Sequence, residues 1–131
     1  MYLRFVCAAP HPYAAAELGI YQATRLIDWE DQPRWLAKEF RRAFVAAADG
    51  LAVPECVSMA RTADGRRSVC WLKAENAPRI AATRHLAWVM GELGVPVAGI
   101  GARNPGHIIY RDVDQVVALP QGRVRRAFPR R

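Results

Sequence analysis

The stretch SVCWLK at residues 68–73, followed by ENAPRIAATRHLAWVMGELG at 75–94 and VAGIGA at 97–102, decides the fold class of this chain. The first block is short, apolar and rich in strand-forming residues. In the second, Asn76 and Pro78 mark a helix start, and Gly94 ends the run. Between them Ala82, Leu86, Val89, Met90 and Leu93 recur at helical spacing and predict a buried face. The third block, entered through Pro96, is again strand-like. Strand, helix and strand in that order make a βαβ unit, whose strands run parallel with a right-handed crossover. Downstream, Asn104-Pro105-Gly106-His107 carries Pro and Gly where a type II turn wants them. His107–Arg111 and Gln115–Leu119 then read as two strands joined across Asp112-Val113-Asp114.

Upstream, Tyr2–Cys7 reads as a first strand, ended by Pro10 and Pro12. A helix is predicted from about Tyr13 to Ile27, with Leu18, Tyr21 and Arg25 along one stripe. Asp31 or Gln32 then caps a second helix opened by Pro33. Its apolar stripe is Leu36, Phe40, Phe44 and Ala47, and Asp49-Gly50 stops it. Leu51–Arg67 is the least regular stretch, broken by Pro54 and Asp64-Gly65. The order β-α-α-β-α-β-β-β predicts an α+β fold: a two-layer sandwich with a mixed sheet of about five strands and three helices on one face. The domain covers 1–119, and 120–131 forms a basic C-terminal tail.

A chain of 131 residues, 52% apolar and 24% charged, has the composition of one globular domain. It has no apolar run long enough for a transmembrane helix. Cys7, Cys56 and Cys70 are odd in number and scattered, which argues against a disulfide framework and for a reducing compartment. Arg4 interrupts the only apolar run near the start, and Pro10-His11-Pro12 follows, so no signal peptide is expected and the predicted location is cytoplasmic. The net charge is +7, of which residues 120–131 supply +5 and residues 1–60 supply −1. A block of like charge at a terminus is a common device for holding nucleic acid or an acidic partner.

Cys70-Trp71-Leu72-Lys73, then Asn104-Pro105-Gly106-His107-Ile108-Ile109-Tyr110-Arg111-Asp112 and Gln115-Val116-Val117-Ala118, resembles a group of small uncharacterised bacterial proteins. In that group a Cys-Trp-Phe-Lys-like strand precedes a Pro-Gly-x-Ile-Val-Tyr-x-Asp hairpin and a Gln-Val-Val-Ala strand. The resemblance covers the second half of the chain and implies a shared fold and no activity. The basic tail after Pro120 departs from the pattern.

Candidate sites are sparse. His11, His85 and His107 lie far apart and no two cysteines are close, so spacing supports no metal site and no cofactor is expected. Cys70 with His85 or His107 is the one nucleophile–base pairing that folding would have to assemble. Mid-strand, however, Cys70 reads as a small buried hydrophobe, with Cys7 and Cys56 the more exposed thiols. Gly99-Ile100-Gly101 with Arg103 is a weak phosphate cradle or a place of close backbone packing. Lys73, His107 and Arg111, beside Asp112 and Asp114, form either surface ion pairs or a small ligand site.

Nucleic-acid or acidic-partner contact rests on Arg61, Arg66, Arg67, Arg103, Arg123, Arg125, Arg126, Arg130 and Arg131, with Trp71, Trp88 or Phe128 as stacking surfaces. The reading that follows is a non-enzymatic binding module. It docks on a macromolecular partner, a protein first and nucleic acid second, with no membrane contact. The alternative is a small-molecule-binding protein or minor enzyme with its site near the 99–111 hairpin.

Overall fold

The computed structural model describes residues 1–53, 66–122 and 126–128. Its elements are β1 (Tyr2–Pro10), β2 (Glu17–Gly19), α1 (Ile20–Ala23), α2 (Arg34–Ala48), β3 (Val69–Lys73), α3 (Ala77–Glu92), β4 (Ala98–Ala102), β5 (His107–Arg111) and β6 (Gln115–Leu119). Among the described residues the fold is α+β, these three helices with one six-stranded sheet. No helix among the described residues is long and apolar enough to cross a membrane.

Strand pairing differs from the expected βαβ unit. Tyr2 of β1 is flanked by Lys73 of β3 and by Ala102 of β4, and Val6 by Gly19 of β2 and Ala98 of β4. Thus β4 follows one edge of β1, while β3 and then β2 share the other. β3 pairs onward with β6, and β6 with β5. The strands β3 and β4 do run in one direction, but β1 lies between them. Every described pairing is therefore antiparallel and the sheet is not mixed. The cause lies in β1 itself. Arg4, Phe5, Val6 and Cys7 are buried in succession, so this strand is covered on both faces and belongs in the sheet interior.

The predicted helix over 13–27 is mostly absent. Only Ile20–Ala23 is α-helical, a 3-10 turn covers Thr24–Leu26, and Glu17–Gly19 forms a strand against β1. His11 diverts the chain: its Nδ1 accepts the backbone N–H groups of Tyr13 and Ala14, at 3.1 and 3.0 Å. The His11 N–H in turn donates to the Ala16 carbonyl at 2.8 Å, which closes the reversal. Side-chain bonds to nearby backbone and strand pairing here outweigh the helix preference of an alanine-rich run.

The other two helices follow their patterns. In α2, Leu36, Ala43 and Ala47 are buried, with Phe40 and Phe44 half-buried against them. In α3, Leu86, Val89 and Met90 are fully buried, and the Asn76 side chain caps the start by accepting the Arg79 N–H at 3.3 Å. Pro33 stands at the start of α2 with no side-chain cap. The far end of α2 is satisfied instead: the Ala47 carbonyl accepts from Tyr21 Oη at 3.1 Å and Arg79 Nη1 at 2.7 Å. On the sheet's opposite face Val6, Val69, Trp71, Ile100 and Val116 form a second cluster, against which Ala127 and Phe128 pack.

Candidate functional site

β3 touches β1 only at Leu72 and Lys73, whereas Val69 and Cys70 pair only with β6. Beyond Leu3 the strands part, and β2 takes up the β1 edge from Val6. A cavity of about 440 Å³ opens at this split, roofed by Ile20, Phe44 and Leu51–Val53. Leu3, Phe5 and Leu72 complete its apolar wall, and Arg4, His11, Ser68, Cys70 and Gln115 supply the polar groups.

Arg4 is the most unusual of these, being only 4% exposed. Burial drives its pKa well below the ordinary guanidinium value, to about 10, with Cys70, then Glu17 and Cys7, opposing the shift. Its Nη2 donates to the backbone carbonyl of Glu17, and its Nη1 has no hydrogen-bond partner among the described residues. The Glu17 carboxylate, itself buried, accepts the N–H groups of Ala127 at 2.6 Å and Phe128 at 2.9 Å. The acid nearest Arg4 is thus committed to the chain end.

Cys70 and Cys7 reverse their expected places. Cys70 is exposed on the cavity side because β1 has left that stretch of β3, whereas Cys7 is buried under the helices. Burial, and then the Arg4 charge, hold the His11 imidazole below its ordinary pKa. Accepting two N–H groups at Nδ1 likewise requires the neutral ring, protonated at Nε2. Gln115 Nε2 donates to the Ala52 carbonyl at 2.6 Å and so ties the roof to β6.

Neither partner expected for Cys70 lines the cavity with it. His85 sits outside, 2.8 Å from a Glu39 oxygen and stacked on Trp88, and His107 is exposed at the start of β5. His107 and Arg111 stand at opposite ends of β5, about 13 Å apart at strand rise, while Lys73 lies at the Arg111 end. The acids of the 112–114 turn have other partners. Asp114 takes Asn76 Nδ2 at 2.6 Å and faces Arg79 Nη2 at 3.6 Å. Burial raises the Asp112 carboxyl, but hydrogen bonds from Asp114, Tyr110 and Gln115 outweigh it, so its pKa lies below the usual range. Gly99 and Gly101 favour the packing reading, since a Cβ would meet Phe5 Cε1 or Met1 Sδ at 3.3 Å.

The arginines proposed for nucleic acid differ in setting among the described residues. Arg66 lies over the exposed Tyr13 ring at 5.9 Å, Arg67 and Arg103 are exposed, and Arg126 is half-buried at the docked chain end. Arg61, Arg123, Arg125, Arg130 and Arg131, with Cys56, lie outside the described residues. Of the proposed stacking aromatics, Trp71 is buried in the second cluster and Phe128 packs against it; only Trp88 is exposed. No group of three or more His, Cys, Asp or Glu that suits a metal occurs among the described residues.

Sequence reading passed over Arg4 and Glu17. The signal was present: Arg4 stands inside an apolar strand, where a charge must find a reason to be buried. Comparison with protein-family models, curated proteins and solved structures finds no match to this chain.

Proposed function

We propose that the chain is a small-molecule-binding domain whose site is the cavity at the split between β1 and β3. One observation carries the reading: an apolar-walled space of about 440 Å³ with a few polar groups converging on it, Arg4 and Cys70 among them. That volume and that mixture of walls are typical of ligand sites. The alternative raised by the sequence is thereby kept and moved, from the 99–111 hairpin to the interior of the fold.

A neutral solvatochromic dye titrated into the Cys56→Ser protein tests it. One saturable site is expected, lost when Cys70 is labelled with a bulky maleimide. Absence of saturable binding in unlabelled protein, or binding unchanged by the label, overturns the proposal.

The basic segment supports a second reading, attachment to nucleic acid or an acidic protein surface. Its five arginines have no acid among them between Pro120 and Arg131. Deleting the segment would also strand the Glu17 carboxylate, so replacing Arg123, Arg125, Arg130 and Arg131 by Gln is the better test. If all four engage duplex phosphates, the log–log salt slope of binding becomes shallower by about 3.6. An unchanged slope removes this reading and leaves the cavity untouched.

A further inference from the structure

We infer that the cavity selects an amphipathic monocarboxylate, with Arg4 as the anchor for its head group. The inference rests on the small-molecule reading above and narrows its ligand class. A buried guanidinium needs both counter-charge and acceptors for its five N–H groups. Arg4 is 4% exposed and lines the cavity, and its Nη1, itself covered, has no hydrogen-bond partner among the described residues, so a head group meets it when the guanidinium turns toward the cavity. Its Nη2 is bonded to a neutral carbonyl, that of Glu17. The Glu17 carboxylate supplies counter-charge, but its two oxygens accept backbone N–H groups from residues 127 and 128. The remaining acidic neighbours are thiols, Cys70 and Cys7.

A carboxylate fits the guanidinium fork in shape and charge. The rest of the ligand is set by the walls: Leu3, Phe5, Ile20, Phe44, Leu51 and Leu72 offer contact to an alkyl or aromatic body and little to a sugar or nucleotide. The charge of the head is limited too. Among the described residues, Arg4 is the only lysine or arginine on the cavity wall, and His11 is held neutral by its two accepted N–H bonds. With the Glu17 carboxylate already set against Arg4, any ligand charge beyond a single one must be desolvated with no cation to meet it, so a phosphate dianion or a dicarboxylate is disfavoured against a monocarboxylate.

Calorimetric titration of the full chain with decanoate, decanol and decyl phosphate tests this. Decanoate is expected to bind one-to-one, about tenfold to a hundredfold more tightly than decanol, as a hydrogen-bonded charge implies. Decyl phosphate should bind more weakly than decanoate. Arg4→Met should abolish the preference for the acid while keeping decanol binding. Should that variant fail to fold, the acid-to-alcohol ratio of the native chain still decides. Equal binding of decanoate and decanol overturns the anchor and leaves the cavity reading standing. Tighter binding of decyl phosphate overturns the single-charge limit. If none of the three binds saturably, the small-molecule reading fails and the anchor with it.

Discussion

Replacing Glu17 by Gln perturbs the one buried carboxylate that joins the interior to the chain end. Two N–H groups, of Ala127 at 2.6 Å and Phe128 at 2.9 Å, converge on its two oxygens. Gln keeps one oxygen as an uncharged acceptor and turns an NH₂ toward the other N–H, so one bond weakens and one becomes donor against donor. Hydrogen bonds to a charged group are worth about 1.5–3 kcal/mol each, so the docked segment should lose about 2–4 kcal/mol. The buried negative charge nearest Arg4 disappears at the same time, which adds to the loss. Release of residues 126–128 lets water in and limits the damage to the docking energy of that segment. The local readout is therefore the sharper one. Amide exchange at Ala127 and Phe128 should accelerate at least tenfold, since about 1.4 kcal/mol is a factor of ten. Trypsin cleavage after Arg126, followed by the mass of the 1–126 fragment, should accelerate in parallel. Unchanged exchange and cleavage would show that the carboxylate does not hold the chain end.

Two further predictions concern the frame of the site. Gly106 has φ +108°, and a Cβ there would lie 2.2 Å from the Leu119 carbonyl oxygen, a backbone atom that cannot rotate away. Gly106→Ala should thus cost about 3 kcal/mol or more in thermal unfolding, through strain and a broken β5–β6 pairing. Gly91 lies in α3 with open space for 4 Å around the place a Cβ would take, and Gly91→Ala should stabilise by about 0.5–1 kcal/mol; similar melting temperatures for the two variants would contradict the hairpin geometry. His11 has its folded pKa below the ordinary 6.5, so below that pH the unfolded chain binds more protons than the folded one. Its contribution is present above pH 6.5 and lost as pH falls through the folded value. Urea midpoints between about pH 7.5 and 5 should therefore fall more steeply for the native chain than for His11→Asn, whose Oδ1 keeps an acceptor; parallel curves would refute it.

Where local chemistry decides structure, the sequence was readable. Asn76 and Pro78 start α3, the stripe from Ala82 to Leu93 is its buried face, and Gly106 takes the positive φ its turn requires, with Asn104 Oδ1 accepting the Gly106 N–H at 2.9 Å. What was not readable depends on pairing across the chain. Whether β3 lies beside β4 or beside β1 is a matter of which strand needs both faces covered, and no residue within 68–102 records it. The reversal at His11 turns on two bonds to one imidazole nitrogen, so an alanine-rich run that suits a helix becomes the approach to a strand. The cavity follows from both facts. It exists because β2 displaces β3 from the edge of β1, and that same displacement uncovers Cys70.

The charge of the chain bears on its function in two separable ways. Most of the net +7 lies in the last twelve residues, the segment read as a contact to a polyanion. Arg4 belongs to the slightly acidic first sixty residues, yet it is the cation buried at a candidate site. Salt distinguishes the two, because screening over a Debye length of about 10 Å at 0.1 M weakens exposed contacts far more than buried ones. Raising NaCl from about 50 to 200 mM should weaken duplex binding through four or five tail arginines by about 150-fold to 500-fold. The same change should alter decanoate binding at Arg4 by no more than about threefold, because the pair forms away from solvent. Decanoate binding that collapses together with duplex binding would place the carboxylate on the surface arginines and refute the buried anchor.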